Sequence, residues 1–183
     1  MSLFSFLKSL IRDPRTVGTL SPASPFTARR VADAIPAGTK SVLELGAGDG
    51  ALTRELLKRL PSDGRVYAVE VKPEFARALE AIGDPRLVVF EGDALDVRAD
   101  AARHGVTSFD AVVSSLPFAL FAEGARDRII ADVHAMLGSG GTFIVCQHLP
   151  TLLPALKKHF SVDTSFEPLN LPPYFIIKAT HQD

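Results

Sequence analysis

The chain has 183 residues, 46% of them hydrophobic and 22% charged, with a formal net charge of -1. That length and balance fit one globular domain with a full core, the lone Cys146 excludes an internal disulfide, and no Cys and His cluster has zinc-ligand spacing. Residues 1–40 hold six Lys or Arg against two Asp, a local +4 against -5 for the remainder; this suits a basic N-terminal segment facing an anionic surface and argues against a dedicated nucleic-acid binder.

The first element predicted is a short amphipathic helix, because Leu3, Phe4, Phe6, Leu7, Leu10 and Ile11 recur at helical spacing with Lys8 and Arg12 opposite. It is far shorter than the roughly 20 apolar residues that cross a bilayer, and it lacks a basic leader and a small-residue cleavage site, so neither a transmembrane nor a signal segment is expected. An irregular stretch, VGTLSPASPF, follows. Ser24 and Pro25 then read as the N-cap and first residue of a second helix reaching about Ile35. Residues 1–40 form one unit and residues 41–183 another.

From residue 41 strand-like and helix-like stretches alternate, the pattern of an α/β doubly wound, Rossmann-like sheet with helices on both faces. Seven strands are expected: Ser41–Leu45, Arg65–Glu70, Leu87–Phe90, Phe109–Ser114, Thr142–Gln147, then a closing pair near Ser161–Glu167 and Tyr174–Ala179. Ala51–Leu60 repeats leucine at helical spacing and stops at Pro61, and Pro73–Ile82 opens with proline and ends at Gly83. Gly124–Leu137 places Ile129, Ile130, Val133 and Leu137 on one stripe before a GSGG turn at 138–141, and two further helices fall near Asp96–Arg103 and Leu152–His159.

The chemistry concentrates after the first strand, in VLELGAGDG. Gly46, Ala47, Gly48 and Gly50 make a ligand-binding loop at the carboxyl ends of the strands. Such loops usually hold phosphate, but Glu44 and Asp49 would repel a pyrophosphate and favour S-adenosylmethionine, which brings an ammonium and a sulfonium. Their structural alternative is local: Glu44 accepting loop amides and Asp49 capping the next helix. Glu70 closes the second strand about twenty residues on, where a carboxylate can take both ribose hydroxyls. Asp93, in EGDAL, could accept from the adenine amino group beside Ala94 and Leu95, or simply hold a turn.

VLELGAGDGALT, VYAVE, EGDA and FDAVVSSLPF resemble, in order and spacing, the motifs of class I S-adenosylmethionine-dependent methyltransferases. The resemblance implies a seven-stranded sheet with an antiparallel last strand, and cofactor contacts at Glu44, Gly46, Ala47, Gly48, Asp49, Gly50, Glu70, Val71, Gly92, Asp93, Ala94, Ser114 and Leu116. Adenine-amino methyltransferases carry Asn or Asp where this chain has Ser115, and one hydroxyl does not reproduce an amide carbonyl. The chain is more similar to bacterial phosphatidylethanolamine N-methyltransferases, in its N-terminal helix, RDPRTVGTLSPAS, SSLPF and NLPPYFI. It departs from them at Ser115, in place of a glycine, and at His148, in place of a tyrosine.

That resemblance implies a phospholipid headgroup amine as substrate, with residues 1–40 as a membrane-binding and cofactor-covering segment and 41–183 as the catalytic domain. The expected partner is an anionic membrane surface, met by Lys8, Arg12 and Arg15 through the N-terminal helix, at the cytoplasmic side of the inner membrane. The same helix could instead pack as a lid. His148 is the candidate proton acceptor, Ser114 and Ser115 hold the amine, and Tyr174 is a further candidate; no metal and no obligate protein partner are expected. An rRNA or DNA adenine methyltransferase, and a cofactor-binding membrane module without turnover, are the competing readings.

Overall fold

The computed structural model describes residues 24–168 and 173–181. The amphipathic helix expected over residues 3–12 lies outside them. Helix α1, Pro25–Asp33, begins as its sequence dictates, with Ser24 Oγ accepting the Thr27 amide at 3.1 Å and proline in the first turn.

Seven strands follow in one sheet: β1 (Ser41–Leu45), β2 (Arg65–Glu70), β3 (Leu87–Glu91), β4 (Phe109–Ser114), β5 (Leu137–Gln147), β6 (Phe160–Glu167) and β7 (Tyr174–His181). Their order is β3-β2-β1-β4-β5-β7-β6. The first five run parallel, and β7 enters antiparallel between β5 and β6. Strand order reverses between β1 and β4, so a crevice opens at their carboxyl ends.

Helices cover both faces, which is why Val42 through Leu45 are all buried rather than alternating. On one face Leu43, Leu45, Val112, Phe143 and Val145 pack with Ile129, Ile130 and Val133 of α5 (Glu123–Met136). On the other, Val42, Val113 and Ile144 pack with Leu52, Leu56 and Leu57 of α2 (Ala51–Arg59) and with Ala28, Val31 and Ala32 of α1. Truncating one such buried Leu or Ile to Ala typically costs about 2–5 kcal/mol. Helix α1 therefore shares its core with the sheet although it precedes residue 40. Helices α3 (Pro73–Glu80) and α4 (Val97–Arg103) flank the β2 and β3 edge.

Two elements depart from their sequence patterns. Strand β5 starts at Leu137, not Thr142: Leu137 pairs with Phe109 and the register then shifts, so the glycines form an irregular strand start instead of a turn. Only a residue without a Cβ fits at Gly141, where one would meet the Gly138 carbonyl at 2.7 Å. Helix α6 is just Leu153–Leu156, shorter than the expected Leu152–His159, because the exposed Lys157, Lys158 and His159 lead directly into β6. Among the described residues no helix is long and apolar enough to cross a membrane.

Candidate functional site

The glycine loop between β1 and α2 is pinned beneath by β2, whose Val69 carbonyl accepts the Gly46 and Ala47 amides at 2.9 and 3.1 Å. Gly46, Gly48 and Gly50 all have positive φ, a region that side chains with a Cβ rarely occupy. At Gly46 there is a second reason: a Cβ would meet Leu116 Cδ2 at 2.9 Å. The loop and the segment after β4 thus close on each other, and Ser115 Oγ ties them by donating to the Gly46 carbonyl at 2.7 Å.

Glu44 lies under this loop, almost wholly buried. Its Oε2 accepts from Thr53 Oγ1 at 2.7 Å, and its Oε1 is buried without a hydrogen-bond partner. Desolvation, with Glu70 and Asp49 adding repulsion against the Thr53 bond, pushes its pKa up to about 8. Asp49 is exposed, and its Oδ1 accepts the Ala51 amide at 3.1 Å. The local alternative is met only in part: Asp49 holds the first amide of α2 with one oxygen although Gly50 is the N-cap residue, and Glu44 takes the Thr53 hydroxyl instead of a loop amide.

The neighbouring strand ends carry the other expected residues. Glu70 is buried, its two oxygens accepting the Gly48 amide at 2.8 Å and the Lys72 amide at 3.0 Å, so it supports the loop; each oxygen keeps a second lone pair for a hydroxyl. Val71 beside it is exposed and Ala94 buried. Asp93 caps the short turn Ala94–Asp96 through the Leu95 amide at 2.9 Å. At Gly92 a Cβ would lie 2.8 Å from Asp100 Oδ2, so a side chain there would displace that carboxylate. A shallow cleft of about 420 Å³ runs outward from Gly92 and Asp93 past Asp96 and Ala99. It shares only Gly92 and Asp93 with the expected cofactor contacts, and so continues from that site instead of coinciding with it.

On the acceptor side the two serines part company. Ser114 is fully buried, its Oγ accepting the Leu116 amide at 3.2 Å, so it shapes the loop from below instead of reaching an amine. Ser115 is exposed at the crevice. His148, just past β5, has Nδ1 3.0 Å from the Pro173 carbonyl and its ring stacked on Tyr174, centroids 4.1 Å apart. Desolvation holds its pKa below the usual histidine value, while the Pro173 bond works against that. Burial pushes the Tyr174 hydroxyl up to about 12, so it stays a neutral phenol.

Sequence reading missed Thr53, the partner of Glu44; Pro173, which fixes the His148 ring; and Gln147, whose Oε1 is buried without a partner. Only Thr53 leaves a trace in the sequence, as a lone hydroxyl on the leucine stripe of α2.

The donor set decides which group fits. Glu44 feels the charges of Glu70 and Asp49 across a glycine cradle, and its buried Oε1 lacks a partner among the described residues. That surrounding welcomes a cation and resists a pyrophosphate. The cationic donor expected from sequence therefore fits the chemistry of this donor set.

Comparison with known proteins agrees with that geometry. Residues 42–141 match a family model described as a methyltransferase domain. The chain is 32% identical over 175 residues to an ornithine lipid N-methyltransferase of Singulisphaera acidiphila, covering 93% of this chain and 91% of that protein. It is 42% identical over 95 residues to a ribosomal RNA small subunit methyltransferase A of Anaeromyxobacter dehalogenans, where it spans only about a third of that relative's length, 32%. Among solved structures it superposes on the N-methyltransferase NodS of Bradyrhizobium japonicum, in complex with S-adenosyl-L-homocysteine, with a TM-score of 0.71 at 15% identity over 87% of this chain and 86% of the other. At that identity the likeness is one of fold.

Proposed function

We propose that this chain, which belongs to the methyltransferase domain family and takes its methyl group from S-adenosylmethionine, methylates the amine of a membrane lipid headgroup. The observation that carries the proposal is end-to-end similarity to a protein named an ornithine lipid N-methyltransferase, against the partial overlap with the rRNA enzyme. Ornithine and ethanolamine headgroups both join an alkyl amine to an anionic group. Phosphatidylethanolamine, the substrate that the sequence resemblance implies, is therefore one member of the proposed class and not its definition.

A second support comes from where apolar side chains meet solvent. Phe26, Leu120, Leu149 and Phe166 are exposed. Leu120 and Leu149 follow the ends of β4 and β5, Phe166 is next to last in β6, and Phe26 is in the first turn of α1, whose Arg30 reaches Glu167 at the end of β6, 2.9 Å away. All four lie at the crevice end of the sheet. An apolar rim around a site suits a membrane surface. With Leu3, Phe4, Phe6, Leu7, Leu10 and Ile11 inserted and Lys8, Arg12 and Arg15 on anionic headgroups, the enzyme would sit peripherally on the cytoplasmic side of the inner membrane, its crevice facing the lipid.

When bound, the cofactor supplies an electrophilic methyl group on a sulfonium centre. What remains for the protein is to hold a neutral amine in line and to remove its proton, and proximity alone contributes several kcal/mol. Ser115 donates to Gly46, which leaves its lone pairs to accept an amine N–H beside the cofactor loop. His148 donates from Nδ1 to the Pro173 carbonyl, which fixes the tautomer that carries its lone pair on Nε2. Its depressed pKa keeps it neutral at pH 7, as a proton acceptor must be.

The test is methyl transfer from labelled S-adenosylmethionine to vesicles containing phosphatidylethanolamine or ornithine lipid, with an rRNA fragment as a separate acceptor. Label is expected in one or both lipids. Label in the rRNA alone would establish the adenine-methylating reading instead.

A further inference from the structure

Besides Glu44, and beyond the serine and histidine already placed, Gln147 and Arg126 each carry a buried polar atom near the crevice with no hydrogen bond among the described residues. Gln147 ends β5 and is nine-tenths buried, with Oε1 sealed from solvent and no partner among the described residues. A buried acceptor left unpaired costs stability, so a position that retains one calls for a reason outside the fold.

Its place in the sheet supplies one. Gln147 lies two residues beyond Val145, hence on the same face, and Val145 is opposite Ser114 in the β4–β5 register. Gln147 thus extends one step past the last β4 pair, toward the crevice. Its β7 partner is Phe175, which packs against the core under α5.

The second group is on that helix. Arg126 precedes Ile129 and Ile130 by three and four residues, so it continues their buried stripe one turn nearer the helix start. That start follows the segment after β4, and the helix ends where β5 begins, so Arg126 lies at the crevice end of the same sheet face. Its Nε is buried without a hydrogen bond among the described residues, and its ion pairs, to the exposed Glu123 at 3.7 Å and the half-exposed Asp127 at 3.6 Å, are long.

One unmet acceptor and one underused cation at the same end of one face match a zwitterion. We propose that Gln147 and Arg126 form the headgroup subsite, Gln147 Oε1 accepting an N–H of the substrate amine and Arg126 binding the anionic group carried by the same headgroup. The subsite rests on the lipid-amine reading above and adds what it lacks, a reason to prefer a headgroup with both charges over a simple amine.

The experiment compares wild type, Gln147→Met and Arg126→Met by melting temperature, S-adenosyl-L-homocysteine affinity and kcat/KM. The acceptors are phosphatidylethanolamine, ornithine lipid and a long-chain alkylamine in detergent micelles. Gln147→Met removes the unpaired amide at nearly constant volume, so its melting temperature should hold or rise and its affinity for the product cofactor stay unchanged. Its kcat/KM should fall about tenfold or more on every acceptor, the loss of one good hydrogen bond. Arg126→Met should lose activity on the two zwitterionic lipids and keep it on the alkylamine. Loss on phosphatidylethanolamine alone would identify the anion as phosphate, and loss on both would admit a carboxylate. Wild-type rates in both variants would overturn the subsite and leave the lipid reading standing, as would a parallel fall in stability and cofactor affinity. A wild-type protein that methylates no amine lipid would overturn both.

Discussion

Glu44 is the residue whose environment is most at odds with its charge. Unfolded, it titrates near 4.5; folded, at about 8, so between those values the folded chain keeps a proton that the unfolded chain releases. The stability this burial allows at low pH is lost as pH rises through that window. Glu44→Gln should therefore melt higher than wild type by a margin that grows from pH 5 to pH 8, by about 2–4 °C for each kcal/mol recovered. The same variant should bind S-adenosylmethionine more weakly, and a pH-independent margin in melting scans would show that the carboxyl is not what strains the site. His148 makes an opposite case, its pKa depressed by desolvation. Activity should fall on the acid side with an apparent pKa below 6.5, and His148→Asn should lower the plateau and remove that limb. An unchanged acid limb in the variant would take His148 out of the reaction.

Among the elements, α1 shows how a few local rules place a helix beside the site. Ser24 caps it, Ala28, Val31 and Ala32 seat it on α2, and Arg30 clasps the buried Glu167 at the end of β6. Ser24→Ala should cost about 1 kcal/mol in denaturant unfolding, the usual loss for an N-cap. Much of this was legible in advance, because Ser-Pro before an apolar stripe has one good structural solution, and likewise the alternation that located seven strands. The shortfalls have physical causes. The GSGG stretch reads as a turn because glycine is favoured there, yet pairing of Leu137 with Phe109 draws it into β5. Leucines at 152, 153 and 156 suggest a longer helix than the chain allows before Phe160 must enter the sheet. The glycine loop and its acids could be read because backbone constraint and charge are written locally. Gln147, Arg126 and Pro173 could not, since an unmet hydrogen bond or a carbonyl beneath a ring exists only once distant strands have met.

The whole molecule is polarised along its strands: glycine loop, carboxyls, His148 and the exposed apolar rim all lie at one end of the sheet. That arrangement is the one that the proposed methylation of a lipid headgroup at a membrane surface requires. Removing residues 1–12 should reduce co-sedimentation with anionic vesicles while leaving cofactor affinity intact, and equal pelleting of both chains would confine the membrane contact to the rim. Every step nevertheless depends on acidic side chains around the β1 loop accepting a positively charged methyl donor. Calorimetric titration of the full chain with S-adenosylmethionine and with NAD, at pH 7 in two buffers of different ionisation heat, addresses that dependence. Saturable uptake of S-adenosylmethionine with release of a proton that Glu44→Gln no longer shows, and no uptake of NAD, is the expected result. Binding of NAD as tight as that of S-adenosylmethionine, with no proton released, would contradict it.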